Sequence, residues 1–237
     1  MNLTYIFYAI TIGIIPALLW LWLWLREDSE HPEPKSMIAI SFIAGMIAAP
    51  ITAIVQMLIA VYIPESSFAF LGTSISSYII LWVIVEELFK FSASFFALKS
   101  KYDDEPIDAM IYLITSALGF VAVENTLYAL KFISEHGIDS LFASGFSRFI
   151  GPSLLHIVTS GIVGLSISLS FYIHGKTKQF YIYFGLITAV VLHTLFNFFI
   201  LADTELTSLF AFISVWFFAI VLLVSFGIVK KIRAKIL

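Results

Sequence analysis

The amino-acid sequence predicts an all-α protein, a polytopic transmembrane helix bundle with about seven spans. Of its 237 residues, 60% are hydrophobic and only 12% are charged, whereas soluble domains carry about 25% charged residues. Several apolar runs reach the length of about 20 residues that a membrane-spanning helix needs. The runs do not alternate between apolar and polar residues, which favours helices over a closed barrel, the other structure that satisfies the backbone in lipid.

Short polar segments divide the chain into the predicted spans. No Lys or Arg precedes the first span, which is therefore expected to be a retained helix and not a cleaved signal peptide. Residues 68–74 are ambiguous and could lie in the membrane interface, and residues 133–147 form the longest predicted loop. The predicted spans cover approximately residues 3–25, 36–63, 75–98, 107–132, 148–174, 180–202 and 207–229.

Positive charges are divided unequally between the two sides of this topology. One side collects ten Lys and Arg residues, and the other collects only Lys131 and Arg148. Cytoplasmic loops of membrane proteins carry an excess of Lys and Arg. We therefore expect an integral protein of the plasma membrane, with its N-terminus outside the cell and its C-terminus in the cytoplasm. The ten are Arg26, Lys35, Lys99, Lys101, Lys176, Lys178, Lys230, Lys231, Arg233 and Lys235.

Composition also excludes several classes of function. The net charge of −3 and the absence of a basic face give no indication of nucleic-acid binding. The chain has no cysteine, which excludes disulfide bonds and a thiolate nucleophile. No internal repeat or low-complexity linker is visible, so one membrane-embedded domain over residues 1–237 is the simplest organisation.

The third predicted span contains three charged residues, Glu86, Glu87 and Lys90. A charged side chain at the centre of a membrane helix costs about 2.5–3.5 kcal/mol on insertion scales, so these groups need partners, water or a metal. Lys90 follows the glutamates by four and three residues and can neutralise either. The alternative to a functional site is a structural ion pair that joins two helices. With two acids and one base, however, such a pair leaves one carboxylate without a partner. We therefore expect a functional site here.

Three further helices carry titratable groups at a similar depth, Glu124, His156 and His193. Each lies about eight or nine residues from the predicted outer end of its span, and the paired glutamates lie about a dozen residues from theirs. At 1.5 Å per residue, these positions lie roughly 12–18 Å below the outer surface. Singly, each histidine would more often be a hydrogen-bonded core residue, and Glu124 an interhelical hydrogen-bond partner. Their common depth favours one site.

These residue types suit peptide hydrolysis by two routes. In one, a glutamate activates water, a histidine donates a proton, and Asn197, on the same helix face as His193, stabilises the oxyanion. In the other, two histidines and a carboxylate hold zinc with an open position for water, and a second glutamate is the base. The chain has no His-Glu-x-x-His, Gly-x-Gly-Asp or Gly-x-Ser-Gly motif, which excludes several known classes of intramembrane protease.

Four motifs in order resemble those of the PrsW family of intramembrane proteases. The run from Glu86 to Lys90 resembles its EExxK motif, and the run from Phe120 to Glu124, after an acidic loop, resembles its FxxxE motif. The later histidine motifs are matched by His156 and the pair His193–Asn197. Altogether the resemblance spans residues 82–198, about half of the chain.

A related group, the type II prenyl-protein endopeptidases, usually shows EExxxR and FxxxH. Here position 91 is Phe and position 124 is Glu. Both departures argue for the PrsW branch and against prenylated substrates.

The resemblance implies a membrane-embedded endopeptidase that cuts membrane-anchored proteins, such as anti-sigma-factor-like proteins or peptide precursors. Its catalytic core would cover residues 75–202. We expect Glu124, His156 and His193 to bind a divalent metal, with zinc as the first candidate, or to shuttle protons; a glutamate-type mechanism would need no metal. The residues expected to take part in catalysis are Glu86, Glu87, Lys90, Glu124, His156, His193 and Asn197.

Two other functions fit the same residues. A proton- or cation-coupled transporter also uses intramembrane Glu and His relays, but it predicts inverted repeats, and none is visible. A non-enzymatic scaffold that kept a catalytic fold is the second alternative, because a fold does not guarantee its activity.

Overall fold

The computed structural model describes residues 3–29, 31–138, 141–202 and 204–232, and within these ranges the chain is almost entirely helical. The predicted all-α class is confirmed. Seven helices of 18 residues or more are accompanied by one short helix and one β-hairpin. The elements are α1 Leu3–Leu25, a 3₁₀ turn Arg26–Asp28, α2 Lys35–Tyr62, β1 Ser67–Phe70, β2 Thr73–Ser76, α3 Tyr78–Leu98, α4 Asp108–His136, α5 Leu141–Ile150, α6 Pro152–Leu169, α7 Lys176–Leu201 and α8 Glu205–Val229.

Six spans in the described chain are long and apolar enough to cross a membrane, and the protein is an integral membrane protein. The exception among the long helices is α3, whose 21 residues include Glu86, Glu87 and Lys90. These three charges lower its hydrophobicity without shortening it, so α3 completes the predicted set of seven helices. Two charges of the predicted basic tail, Arg233 and Lys235, lie outside the described residues.

Helix α4 lies at the centre of the bundle and is buried along most of its length. Such burial suits a helix that is apolar on all faces. Its closest crossing is with α2, where Gly119 lies against the carbonyl of Phe42 and Gly45 against that of Ser116. A Cβ at either glycine would lie 1.9 Å from the opposing carbonyl oxygen, so only glycine lets the two backbones approach this closely.

The hairpin occupies the stretch that the sequence left ambiguous. Leu71 and Gly72 have φ values of 47° and 83°, the left-handed pair that a two-residue type I′ turn requires. The turn pairs Phe70 with Thr73. Helix α3 begins at Tyr78, three residues after the approximate start predicted for the third span, because strand pairing continues to Ser76.

A second difference concerns the predicted loop 133–147, part of which forms α5. This short helix packs on the side of the bundle beside α1, where a Cβ on Gly145 would meet the Ile12 side chain. The Trp20 indole N–H also donates to the carbonyl of Phe149 at 3.2 Å. At Gly151 the backbone turns out of helical geometry (φ −116°, ψ −86°), and Pro152 begins α6.

Polar contacts close the bundle at the end opposite the hairpin, which we call the tail end. There Lys230 of the C-terminal segment pairs with Glu27 at 3.3 Å. In the adjoining loops His31 lies 3.2 Å from Glu105. The hairpin therefore marks one end of the helix bundle and these ion pairs mark the other.

Candidate active site

Titratable side chains from four helices meet in the interior of the bundle. Helix α3 supplies Glu86, Glu87 and Lys90, and α4 supplies Glu124. Helices α6 and α7 supply one histidine each, and their rings lie 4.9 Å apart in an edge-to-face arrangement. The residues that the sequence placed at one depth therefore contact one another.

Glu87 is the most heavily bonded carboxylate of the group. Its side chain is 2% exposed, and its Oε1 lies 2.6 Å from both Lys90 Nζ and His193 Nδ1. The Thr159 hydroxyl donates to the same oxygen at 3.2 Å. A carboxylate at Nδ1 holds the histidine proton on that nitrogen, which leaves the Nε2 lone pair of His193 directed at the centre of the site. Glu87 therefore orients the ring of His193, and its Oε1 is occupied by three partners.

His156 lies between Lys90 and Glu124. Its Nδ1 is 3.1 Å from Lys90 Nζ, and its Nε2 is 3.0 Å from Glu124 Oε2. Phe120 covers one side of the ring, with centroids 5.7 Å apart. An ammonium can only donate, so in this arrangement Lys90 donates to Nδ1 and the ring proton lies on Nε2, facing Glu124.

Glu124 is held by a residue that the sequence did not single out. Arg148 of α5 donates to Glu124 Oε1 at 2.6 Å and, through Nε, to Asn125 Oδ1 at 2.6 Å. The guanidinium lies 4.4 Å from the centre of the Tyr128 ring. Glu124 Oε2 is buried and has no aligned hydrogen-bond donor among the described residues, although His156 is close. Arg148 thus holds one oxygen of Glu124, and the other faces the His156 ring.

The remaining carboxylate, Glu86, is bound by Gln56 of α2. Gln56 donates to Glu86 Oε1 at 2.7 Å, and Glu86 Oε2 lies 3.5 Å from His193 Nε2. The signal for Gln56 was available in the sequence as a single amide within an apolar span. Arg148 had a comparable signal, because it is a lone cation close to the start of an apolar span. Asn197, expected to stabilise an oxyanion, lies one turn beyond His193 and forms no hydrogen bond to any part of the chain that the structure describes.

The site has the donor set of a catalytic zinc centre. Glu86, His156 and His193 each offer one ligand atom, and these atoms lie within 4.8 Å of one another. Two nitrogens and one carboxylate oxygen leave a fourth position for water in such centres. The residues therefore fit a metal. The carboxylate grouped with both histidines is that of Glu86. Glu124, the carboxylate ligand expected from the sequence, contacts His156 and not His193.

A second group of carboxylates lies at the tail end, formed by Asp28, Glu33 and Asp108. Asp108 Oδ2 accepts backbone N–H bonds from Asp104 at 2.9 Å and Glu105 at 2.6 Å. It thereby satisfies donors just before α4 begins, which is a structural role. Burial raises the pKa of Glu33. The acidic loop that the sequence analysis associated with the FxxxE motif thus organises this end of the bundle, away from the histidines.

Comparisons with known proteins agree with this chemistry. Residues 33–224 match the family model described as "PrsW family intramembrane metalloprotease". The chain is 26% identical over 199 residues to Protease PrsW of Geobacillus kaustophilus, covering 83% of this chain and 81% of that protein. It is 24% identical over 196 residues to Protease PrsW of Bacillus subtilis, covering 83% and 84%. No solved structure matches the chain significantly.

Proposed function

The chain belongs to the PrsW family of intramembrane metalloproteases, and from this premise we propose which of its residues carry out the reaction. The protein is an intramembrane protease, and its family membership lends no support to the transporter interpretation. The observation that carries the assignment of residues is the convergence of Glu86, His156 and His193 within 4.8 Å.

These three residues hold a divalent metal, with zinc as the first candidate. The metal, when bound, activates a water molecule and polarises the peptide carbonyl. His156 must lose its Nε2 proton to become a ligand, so metal and proton compete for this nitrogen. Glu86 stays in place because Gln56 binds its other oxygen at 2.7 Å.

Glu87 and Lys90 position the histidines and do not contact the substrate. Glu87 fixes the ring of His193 through Nδ1, at 2.6 Å. Lys90 neutralises Glu87 and approaches Nδ1 of His156 at 3.1 Å. Such partners of metal ligands typically contribute 10–100-fold to metal affinity or activity.

Glu124 is the general base. Its Oε2 lies 3.0 Å from His156 Nε2. Once His156 has given up its Nε2 proton to become a ligand, this oxygen can accept the proton of the attacking water. Arg148 keeps Oε1 occupied, which leaves Oε2 as the acceptor. The side chain as a whole is 35% exposed, so water can approach the carboxyl group, although Oε2 itself is turned into the bundle. Asn197, with its amide unbonded, stabilises the oxyanion after a rotamer change.

The substrate is the membrane-anchored segment of another protein. The excess of Lys and Arg on one side of the topology, ten against two, orients the N-terminus outwards and the C-terminus to the cytoplasm. In this orientation the hairpin end of the bundle is the outer end, and the site opens towards the outer half of the bilayer. A membrane-anchored anti-sigma factor or a peptide precursor has the required form.

Cleavage of a defined reporter tests this function. The reporter is a single-span protein with a tagged outer domain and a transmembrane segment that carries helix-weakening glycines near its outer end. Purified protease in liposomes should cleave it, Glu124→Gln should abolish cleavage, and Glu87→Ala should lower it by about 10–100-fold. Glu65→Ala, in an exposed turn, is the matched control and should cleave normally. Full cleavage by Glu124→Gln would contradict its role as base, and a protein that cleaves no such reporter would contradict the function.

A further inference from the structure

The β-hairpin carries backbone groups that have no partner within the hairpin. In an antiparallel pair, opposed residues alternate between those that exchange hydrogen bonds and those whose N–H and C=O groups point outwards. The two-residue turn makes Phe70 and Thr73 a bonded pair, and Ser77 N–H donates to Ser66 O at 2.8 Å. Ser67 and Ala69 on β1 therefore direct their backbone groups away from β2.

The two edges of the hairpin differ in what lies beside them. Strand β2 is the strand nearer to α7, and its Thr73 hydroxyl reaches the carbonyl of Ala202 at the end of that helix. On β1, the residues from Ser67 to Ala69 are all exposed. The outward backbone groups of Ser67 and Ala69 form no hydrogen bond with other described residues. The outward backbone groups of Ser74 and Ser76 on β2 likewise form no hydrogen bond with described residues. We call the edge of β1 the free edge because it is the one farther from α7.

Aromatic contacts fix the position of this edge relative to the active site. Phe68 and Phe70 pack against Phe198 with ring centroids 5.4 and 5.1 Å apart. Phe198 follows His193 by five residues on α7, a rise of about 7.5 Å. Along α3, eight residues separate Tyr78 from Glu86, a rise of about 12 Å. An extended chain covers these distances in about two and about four residues, respectively.

We propose that the free edge of β1 binds an extended segment of the substrate as an added strand, about two to four residues from the scissile bond. This inference rests on the proposed function. A transmembrane substrate is helical, and unwinding it for cleavage exposes N–H and C=O groups that lipid cannot satisfy. The unbonded groups of Ser67 and Ala69 provide partners for them in the manner of strand addition. The small side chains of these two residues let another strand approach closely.

Proline substitution tests the edge while leaving the hairpin intact. Ala69→Pro removes an outward N–H and places a ring on the edge, a substitution that edge strands tolerate. Ser74→Pro makes the same change on the opposite edge and is the matched control. We expect Ala69→Pro to lower reporter cleavage on the order of tenfold, the effect of losing about one hydrogen bond, and Ser74→Pro to stay within about twofold of wild type. Equal effects of the two variants, or no effect of Ala69→Pro, would overturn the proposal.

Photocrosslinking separates this proposal from the proposed function. A photoreactive p-benzoyl-phenylalanine at position 69 or 74, in the inactive Glu124→Gln protein, is irradiated with the same reporter. The proposal expects capture from position 69 and little from position 74. Absence of capture from position 69 would overturn it even if the wild-type protein cleaves the reporter. Capture from position 69 without cleavage by the wild type would instead contradict the proposed function alone, and this arm does not depend on how Ala69→Pro folds.

Discussion

The Glu87–Lys90 pair gives the most informative perturbation of the site. Glu87 Oε1 lies 2.6 Å from Lys90 Nζ, and the side chains of Glu87 and Lys90 are 2% and 1% exposed. Removing one partner of a buried ion pair leaves an uncompensated charge and costs about 3–5 kcal/mol. Glu87→Gln keeps the shape of the side chain but leaves Lys90 unpaired. For a chain of this size, we expect a fall of the unfolding midpoint on the order of 10 °C.

Adding Lys90→Met to this variant separates stability from catalysis. The double variant buries no unpaired charge, so it should regain most of the lost stability, because an apolar replacement of a buried pair is often neutral. Reporter cleavage should stay low, since His193 still lacks the carboxylate that orients its ring at 2.6 Å. The second substitution should therefore restore stability without restoring activity.

Thermal unfolding in detergent and reporter cleavage measure the two effects on the same samples. The single variants, the double variant and Glu65→Gln as an exposed control complete the set. A double variant that is no more stable than Glu87→Gln would refute the electrostatic coupling. A double variant that cleaves the reporter at the wild-type rate would refute the positioning role of Glu87.

Three further predictions concern separate parts of the molecule. Arg148→Gln should reduce cleavage by about tenfold or more while preserving metal content, because it releases Glu124 without touching a ligand; unchanged kinetics would refute this. Gly119→Ala should lower the unfolding midpoint because its Cβ would lie 1.9 Å from a backbone oxygen. Gly227→Ala is the control, because a Cβ there would have no atom within 4 Å. Equal midpoints of the two variants would contradict the close crossing of α2 and α4. Burial, with the neighbouring carboxylates, raises the pKa of Asp103 to about 7. The contribution of Asp103 to folding stability should therefore fall as pH rises from about 4 to 7. If Asp103→Asn leaves the pH dependence of the unfolding midpoint unchanged, Asp103 is not its source.

Composition and periodicity were sufficient for the helices and for the depth of the site. The spans follow from apolar length, which the bilayer fixes, and the depth of Glu124, His156 and His193 follows from a constant helical rise. Helix rotation and crossing do not follow from these quantities. They decide that Glu86, and not Glu124, lies with both histidines, and that Glu87 is turned towards Lys90.

The segments that sequence reasoning missed owe their structure to tertiary contacts. Helix α5 is too short to stand out as a membrane span, and its place depends on contacts with α1, such as Gly145 against Ile12. The hairpin has strands of four residues and is held by Phe198 of a distant helix. Arg148 and Gln56 could be identified as unusual residues in apolar surroundings, but their partners could not be assigned without the packing.

Metal content tests the central claim most directly. Purified wild-type protein should contain about one divalent metal ion per chain by elemental analysis, and so should Glu124→Gln, although the latter should not cleave the reporter. Glu86→Ala and His193→Ala should each lose the metal. Metal retained at the wild-type level in both of these variants, with Glu124→Gln losing it instead, would contradict the proposed ligand set.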